Sequence, residues 1–224
     1  TLYALAGNYG DGVRNCRECV GPTNTCVLLS TGEVRCFGAN SSHNVLGDGT
    51  GADSSVPVAV SGLSNAASLY TISSSWSGGY CALLTDSQIR CWGDGTDRFF
   101  GDFGTGGRPI ATPIGGLSSV VETSSGDEDS CARKSDGSVW CWGGYASNGQ
   151  AGGGRYTNPS APMALPGIST AIGLASGGQT NYVLLSDGTI RGLGLDNHGR
   201  LGDGGSDHTG GTLRQVSGIS TATQ

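Results

Sequence analysis

The stretch CVLLSTGEVRCFG, Cys26 to Gly38, returns three times along the 224-residue chain: CALLTDSQIRCWG from Cys81, CARKSDGSVWCWG from Cys131 and YVLLSDGTIRGLG from Tyr182. The offsets are 55, 50 and 51 residues. A steady internal period restricts the fold more than any other feature here, because each unit has to bury its apolar surface against its neighbours.

Within the first copy, residues 27–29 and 33–37 read as two short strands. Ser30-Thr31-Gly32 fits a three-residue hairpin loop, a type I turn followed by glycine in the left-handed region. That register faces Leu29 with Glu33, Leu28 with Val34 and Cys26 with Cys36. Directly opposed strand positions lie about 4.5–5.5 Å apart at Cα. A disulfide spans about 4.4–6.8 Å. The expected pairs are therefore Cys26–Cys36, Cys81–Cys91 and Cys131–Cys141. In the fourth copy both positions change together, to Tyr182 and Gly192, as the members of a bonded pair would. Small buried thiols are the alternative. Metal binding is disfavoured, because two cysteines per hairpin supply half of a tetrahedral zinc site and His43, His198 and His208 lie elsewhere. No C-x-x-C pair beside a βαβ pattern marks these hairpins as redox centres.

A short apolar segment precedes each hairpin: TLYALAG from Thr1, SLYTISS from Ser68, SVVETSS from Ser119, TAIGLAS from Thr170. Gly-rich loops follow, such as residues 46–49 and 201–204. Each unit closes on an extended run and a turn: PVAVSGLS from Pro57, PIGGLSS from Pro113, PMALPGIS from Pro162, LRQVSGIS from Leu213. Four short strands per unit, with turn signals between them, predict an all-β chain. Repetition near 50 residues predicts a β-propeller of four-stranded blades. The units are 1–67, 68–118, 119–169 and 170–220, in one propeller segment over 1–224. The position after the second cysteine is Phe37, Trp92, Trp142 or Leu193, expected to be inter-blade core. The position before it is Arg35, Arg90, Trp140 or Arg191. These arginines are expected to lay their stems on apolar surface and to keep their heads wet or paired with a loop carboxylate.

The balance of 12 Lys+Arg against 18 Asp+Glu gives a net charge of −6, with Lys134 as the one lysine. A nucleic-acid-binding face normally clusters Lys and Arg, so no nucleic-acid partner is expected. No 18-residue apolar run suggests a membrane span. The chain shows no signal peptide and no initiator Met, which fits a processed or truncated chain. Eight cysteines point to an oxidising, extracellular or cell-surface setting. Cys16 and Cys19 lie in an insertion over residues 8–22 that the other copies lack, and are expected to pair with each other. Pairing outside the chain, a metal site and a redox pair are the alternatives.

Asn40-Ser41-Ser42 is a glycosylation sequon in a loop, expected to be accessible, with a chance match as the alternative; Asn158-Pro159-Ser160 is blocked by its proline. No G-x-S-x-G, P-loop or H-E-x-x-H motif is present, so no enzyme activity, no catalytic residue, no metal and no cofactor is expected. The carboxylates of Gly126-Asp127-Glu128-Asp129, of residues 48–53 and of 203–207 read as solvated turns, with Ca²⁺ as the alternative.

The pattern C-A-L-L-x-D-G-x-V-x-C-W-G, then G-x-N-x-x-G-x-L-G-D-G, then P-V-x-V-x-G-L-S, resembles the repeat of the regulator of chromosome condensation family, called RCC1-like. It is carried by Cys81-Ala82-Leu83-Leu84, Cys141-Trp142-Gly143, residues 197–204 and residues 57–64. The resemblance covers nearly the whole chain outside the insertion, and copy two departs most, over residues 94–104. It implies a β-propeller, commonly of seven blades, so four copies imply part of a larger propeller, with a small or open four-bladed assembly as the alternative. Members of that family include an exchange factor for a small GTPase, a plant ultraviolet receptor and a bacterial β-lactamase inhibitor. The receptor's Gly-Trp-Arg-His-Thr motif is absent, and Trp76, Trp92, Trp140 and Trp142 do not reproduce its cluster. Fold alone does not give function. The expected role is an extracellular structural or protein-interaction propeller, with a protein partner or self-association, in a larger secreted, surface or filament-forming protein. A secreted glycan- or Ca²⁺-binding module, or an inhibitor, is the alternative.

Overall fold

The structure, a computed structural model, describes residues 3–6, 24–41, 43–73, 78–95, 100–101, 106–126, 129–143, 149–154, 159–206 and 210–224. Cys16, Cys19, Ser42, Trp76, Asp127, Glu128, Asn158 and His208 lie outside the described residues.

The described strands form four antiparallel sheets of four, each ordered as in the sequence. Blade 1 is β1 (Tyr3–Ala6), β2 (Asn24–Leu28), β3 (Val34–Gly38) and β4 (Ser54–Ala59). Blade 2 is β5 (Ala66–Ser73), β6 (Gly78–Leu84), β7 (Ile89–Gly93) and β8 (Arg108–Pro113). Blade 3 is β9 (Val120–Ser125), β10 (Asp129–Lys134), β11 (Val139–Gly143) and β12 (Met163–Ala164). Blade 4 is β13 (Ala171–Gly177), β14 (Thr180–Leu185), β15 (Ile190–Gly194) and β16 (Arg214–Gln215). The chain divides into two compact units. One comprises Thr1–Thr96 with Thr105–Ile114, the other Asp97–Gly104 with Gly115–Gln224.

The central hairpin of each blade is set by its turn. In blade 1, Leu29 N donates to Glu33 O at 2.8 Å and Gly32 N to Leu29 O at 3.0 Å. Gly32 holds φ +83°, as Gly137 and Gly188 hold +78° and +79°. Ser87 occupies that place in blade 2 at φ +66°, where its Cβ is disfavoured. Pairs in an antiparallel ladder alternate between hydrogen-bonded and not. Counting from Leu29 and Glu33, Leu28 then faces Val34 in a non-bonded pair, and so does Cys26 with Cys36. Non-bonded pairs are the closer kind.

The last strand of blade 2 differs from the sequence reading. β8 ends at Pro113 rather than starting there. Pro113 faces Arg90 as Ala59 faces Arg35. The PIGGLSS run is therefore two positions out of step with PVAVSGLS, and aligning the two prolines misplaces the strand.

Each unit contains a hydrophobic core among its described residues. In the first, Cys26, Leu28, Val34 and Cys36 of blade 1 cluster with Ala82, Leu84 and Trp92 of blade 2. In the second, Cys131, Val139 and Cys141 of blade 3 cluster with Val183, Leu185 and Leu193 of blade 4. In both, the cysteine face of one blade meets the alternate face of the next. The hairpin turn then fixes where the next blade starts: Ala66 N donates to Gly32 O at 3.0 Å and Ala171 N to Gly137 O at 3.1 Å.

Candidate functional site

Cys26–Cys36 and Cys131–Cys141 sit in these packed faces, and Cys81–Cys91 is buried on the other face of blade 2 from Ala82 and Trp92. Their Sγ atoms are 2.05 Å apart for Cys26 and Cys36, 2.04 Å for Cys81 and Cys91, and 2.09 Å for Cys131 and Cys141. Their Cα atoms are 4.0–4.1 Å apart, closer than the sequence reading expected, because all three occupy the close, non-bonded register. All six cysteines are at most 2% exposed. In blade 4 a Cβ on Gly192 would lie 3.0 Å from Leu201 Cδ2 and 3.1 Å from Tyr182 Cε1, so the Tyr182 ring packs beside Gly192, and the Tyr182 hydroxyl donates to Arg200 O.

A polar contact crosses both interfaces at one repeat position. The residue before the first cysteine position of the later blade donates to the residue two before it in the earlier blade. Tyr80 OH donates to Asn24 Oδ1 at 2.6 Å, and Asn181 Nδ2 donates to Asp129 Oδ2. Burial pushes the Tyr80 phenol up to about 12, so it remains a donor at neutral pH. Glu122 ties blade 3 to blade 4 as well: Oε2 accepts from Arg133 Nε at 2.7 Å, and Oε1 from Leu174 N at 3.2 Å. His43 Nδ1 lies 2.5 Å from Asp94 Oδ2, joining the loop after β3 to the end of β7. The sequence reading set His43 aside, and its partner is 51 residues away. Laying the repeats over one another would have exposed the Tyr80 and Asn181 positions.

The glycine loop of one blade packs on the large residue of the next. Trp92 is fully buried and donates Nε1–H to Val45 O at 3.1 Å. A Cβ on Gly47 would sit 2.5 Å from Trp92 Cδ1, so only glycine lets that loop close on the indole.

Blade 1 presents Thr25, Val27 and Phe37, all half-buried, where blade 4 presents Asn181, Val183 and Leu193 at 2%, 1% and 0% exposure. Phe37 is half-buried among the described residues, while Trp92, Trp142 and Leu193 are fully buried. Blade 4 presents Tyr182, Leu184, Ile190 and Val216, half-buried, and Ile219 at 39% exposure. The equivalents of Ile219 in blades 1 and 3, Leu63 and Ile168, are each 8% exposed.

No protein-family model matches the chain. The human E3 ubiquitin-protein ligase HERC2 is 26% identical over 178 residues, which is 78% of this chain and 4% of that protein. The mouse HERC2 matches to the same extent. The chain thus spans a small part of the curated relatives it resembles. The crystal structure of human WBSCR16 matches with a TM-score of 0.68 at 17% identity, over 87% of this chain and 51% of that one. The structure of Prp20p from Saccharomyces cerevisiae matches at 0.66 and 16% identity, over 87% and 48%. That of Kap60 bound to yeast RCC1 (Prp20) matches at 0.65 and 17%, over 87% and 47%. The chain has the RCC1-like β-propeller fold.

The remaining candidate residues serve the RCC1-like blades themselves. Arg90 Nη1 donates to Gly62 O at 3.2 Å and to Ala111 O at 3.3 Å, and Arg35 lies 3.5 Å from Glu33. The accessible sequon expected at Asn40 is corrected: Asn40 is 2% exposed. Its Nδ2, the atom a glycan would occupy, donates to Thr50 O at 2.8 Å, while Oδ1 accepts from Leu46 N at 3.0 Å. Asp196 Oδ1 accepts from Leu201 N at 2.9 Å in the matching loop of blade 4. These side chains hold the glycine loops in shape.

Of the carboxylates considered for Ca²⁺, Asp48, Asp53 and Asp203 bind nearby backbone, Asp129 is buried against Asn181 rather than in a solvated turn, and Asp127, Glu128 and Asp207 lie outside the described residues. Asp48 Oδ1 accepts from Thr50 N at 2.9 Å, and Asp203 Oδ1 from Gly205 N at 2.9 Å. Asp53 Oδ1 accepts from Asn40 N at 2.7 Å and Ser41 N at 3.0 Å, which holds its carboxyl below the usual range. Among the described residues no group of three or more His, Cys, Asp or Glu is placed to hold a metal ion. No described helix is long and apolar enough to cross a membrane.

Proposed function

We propose that this RCC1-like chain is a protein-interaction section of a larger structural protein, that it works in an oxidising, extracellular setting, and that it performs no catalytic step. The observation that carries this reading is the likeness of the fold to propellers that bind proteins: yeast RCC1 (Prp20) has been crystallised with Kap60, and Prp20p has binding properties to Gsp1p and histones. The three buried cysteine pairs support the oxidising setting, because disulfides persist there and are rare where glutathione keeps thiols reduced.

A photo-cross-linking residue at position 56 or 110, whose side chains are exposed on β4 and β8, introduced in the native host, tests the interaction. Cross-linked polypeptide at one of these positions is expected; none at either would overturn it. Alkylation before and after reduction, followed by peptide mapping, tests the setting. Cys26, Cys36, Cys81, Cys91, Cys131 and Cys141 should label only after reduction. Labelling of all six in the unfolded, unreduced chain would remove the oxidising compartment.

A further inference from the structure

We propose that the interface between blades 3 and 4 binds buried water, held by the side chains of Gln150, Asn181 and Ser176. The site is independent of what the propeller binds on its surface.

The interface between blades 1 and 2 and that between blades 3 and 4 use the same repeat positions, and they are filled differently. In the first, Tyr80 stacks on Trp92 with ring centroids 5.8 Å apart. Val45 lies over Gly93, where a Cβ would sit 3.4 Å from Val45 Cγ1. In the second, the positions of Tyr80, Trp92 and Val45 hold Asn181, Leu193 and Gln150. Gln150 lies over Gly194, where a Cβ would sit 3.2 Å from Gln150 Cβ. Both rings are gone, and a glutamine is little larger than a valine, so less side chain fills the second interface. The main chains do not draw together to compensate: Ala171 N to Gly137 O is 3.1 Å, against 3.0 Å for Ala66 N to Gly32 O.

The polar groups differ in the same way. Between blades 1 and 2, Tyr80 OH and Trp92 Nε1 both donate to protein acceptors, Asn24 Oδ1 and Val45 O. Between blades 3 and 4, Asn181 Nδ2 donates to Asp129 Oδ2 and, at 2.9 Å, to Gln150 O. Both neighbours are acceptors, so they fix the orientation of the amide and turn Asn181 Oδ1 away from them. Among the described residues, Asn181 Oδ1 and both Oε1 and Nε2 of Gln150 are buried with no hydrogen-bond partner. So is Oγ of Ser176, which faces Asn181 across β13 and β14. Gln150 and Asn181 are 0% and 2% exposed. Buried polar groups of this kind are satisfied by protein or by ordered water, and a buried water typically makes about three hydrogen bonds. The set contains acceptors and, in Gln150 Nε2, a donor. Its occupant must therefore both donate and accept. Water does so, whereas a bare cation serves the oxygens alone.

A high-resolution crystal structure of the protein tests the proposal. A density peak is expected within about 3.2 Å of the Gln150 amide and of Asn181 Oδ1. A Gln150 amide bonded directly to protein atoms, with no such peak, would overturn it. So would a peak held by oxygens alone at about 2.3–2.6 Å, the signature of a metal ion. Oxygen-17 relaxation dispersion, which counts long-lived internal waters, gives the test in solution. Asn181→Tyr with Leu193→Trp and Gln150→Val copies the first interface into the second and should remove long-lived water. Gln150→Met keeps the side-chain length without the amide, guards against misfolding of the triple variant, and should shorten the residence of that water. An unchanged relaxation signal in Gln150→Met and in the folded triple variant would assign the long-lived waters elsewhere and sink the proposal.

Discussion

Tyr80 OH donates to Asn24 Oδ1 at 2.6 Å across the blade 1–blade 2 interface, and Asn181 reaches Asp129 by the same repeat position between blades 3 and 4. Both members of the first pair are buried, at 3% and 9% exposure. Leaving a buried acceptor without its donor costs about 1–3 kcal/mol. Tyr80→Phe should therefore lower the unfolding free energy by roughly that amount, read from urea denaturation, with little change in the far-ultraviolet spectrum.

Gly47 and Gly204 occupy similar loops with different surroundings. A Cβ at Gly47 would meet Trp92 Cδ1 at 2.5 Å, whereas one at Gly204 meets nothing within 4 Å; both have positive φ, +67° and +92°. Left-handed backbone alone costs an alanine about 1–2 kcal/mol, and overpacking adds about 1–3 kcal/mol. Gly47→Ala should be clearly more destabilising than Gly204→Ala in the same thermal melt, and should also perturb Trp92 fluorescence.

Ser87 holds φ +66° where the other three hairpins have glycine. Replacing it with glycine removes the strain and adds chain entropy to the unfolded state. Relief of the steric term dominates, so Ser87→Gly should stabilise the protein by about 0.5–1 kcal/mol. An unchanged or lower melting temperature would show that the Ser87 side chain contributes more than its backbone costs.

Cys131 and Cys141 are ten residues apart in sequence, and the bond closes a loop of that size. Chain-entropy arithmetic for such a loop gives roughly 2–3 kcal/mol. The double change Cys131→Ala with Cys141→Ala should cost at least this much, because the site is buried against blade 4. The urea midpoint of the variant should lie between those of the oxidised and the fully reduced wild type, because the variant keeps Cys26–Cys36 and Cys81–Cys91.

Acid should loosen the hairpin turns. Asp136 Oδ1 accepts from Ser138 N at 2.9 Å and Ser138 Oγ at 2.6 Å, and Asp187 Oδ1 from Thr189 N at 2.9 Å and Thr189 Oγ1 at 2.7 Å. These bonds hold both carboxyls below the ordinary aspartate value. A lowered folded-state pKa gives stability that is fully present above the unfolded value of about 3.9 and is lost as pH falls through the folded one. Melting temperature should thus fall as pH drops below about 4. Asp136→Asn with Asp187→Asn should flatten that fall.

The hairpins were legible because their information is local. Ser30-Thr31-Gly32 sets the turn, the turn sets the register, and the register brings Cys26 opposite Cys36. Blade spacing followed from repetition. The proline of PIGGLSS misled, since Pro113 takes the place of Ala59 rather than that of Pro57. Asn40 reads as an exposed loop residue because the groups that bury it, Leu46 N and Thr50 O, become its partners only when the loop folds back. The partners of Tyr80, Asn181 and His43 lie 56, 52 and 51 residues away, on the neighbouring blade, where a reading of single segments does not reach.

The bond from Ala66 N to Gly32 O, with its counterpart from Ala171 N to Gly137 O, bears on the order in which the molecule assembles. Each hairpin can close from its own local sequence, and its turn then nucleates the strand that opens the next blade. Local contacts of this kind favour fast folding. Growth passes from a finished blade to its neighbour, as in other arrays stabilised by nearest-neighbour contacts. Damage to one turn glycine therefore spreads forward along the chain: the blade that carries it remains closed by its own ladder, and the one after it loses the point from which it starts.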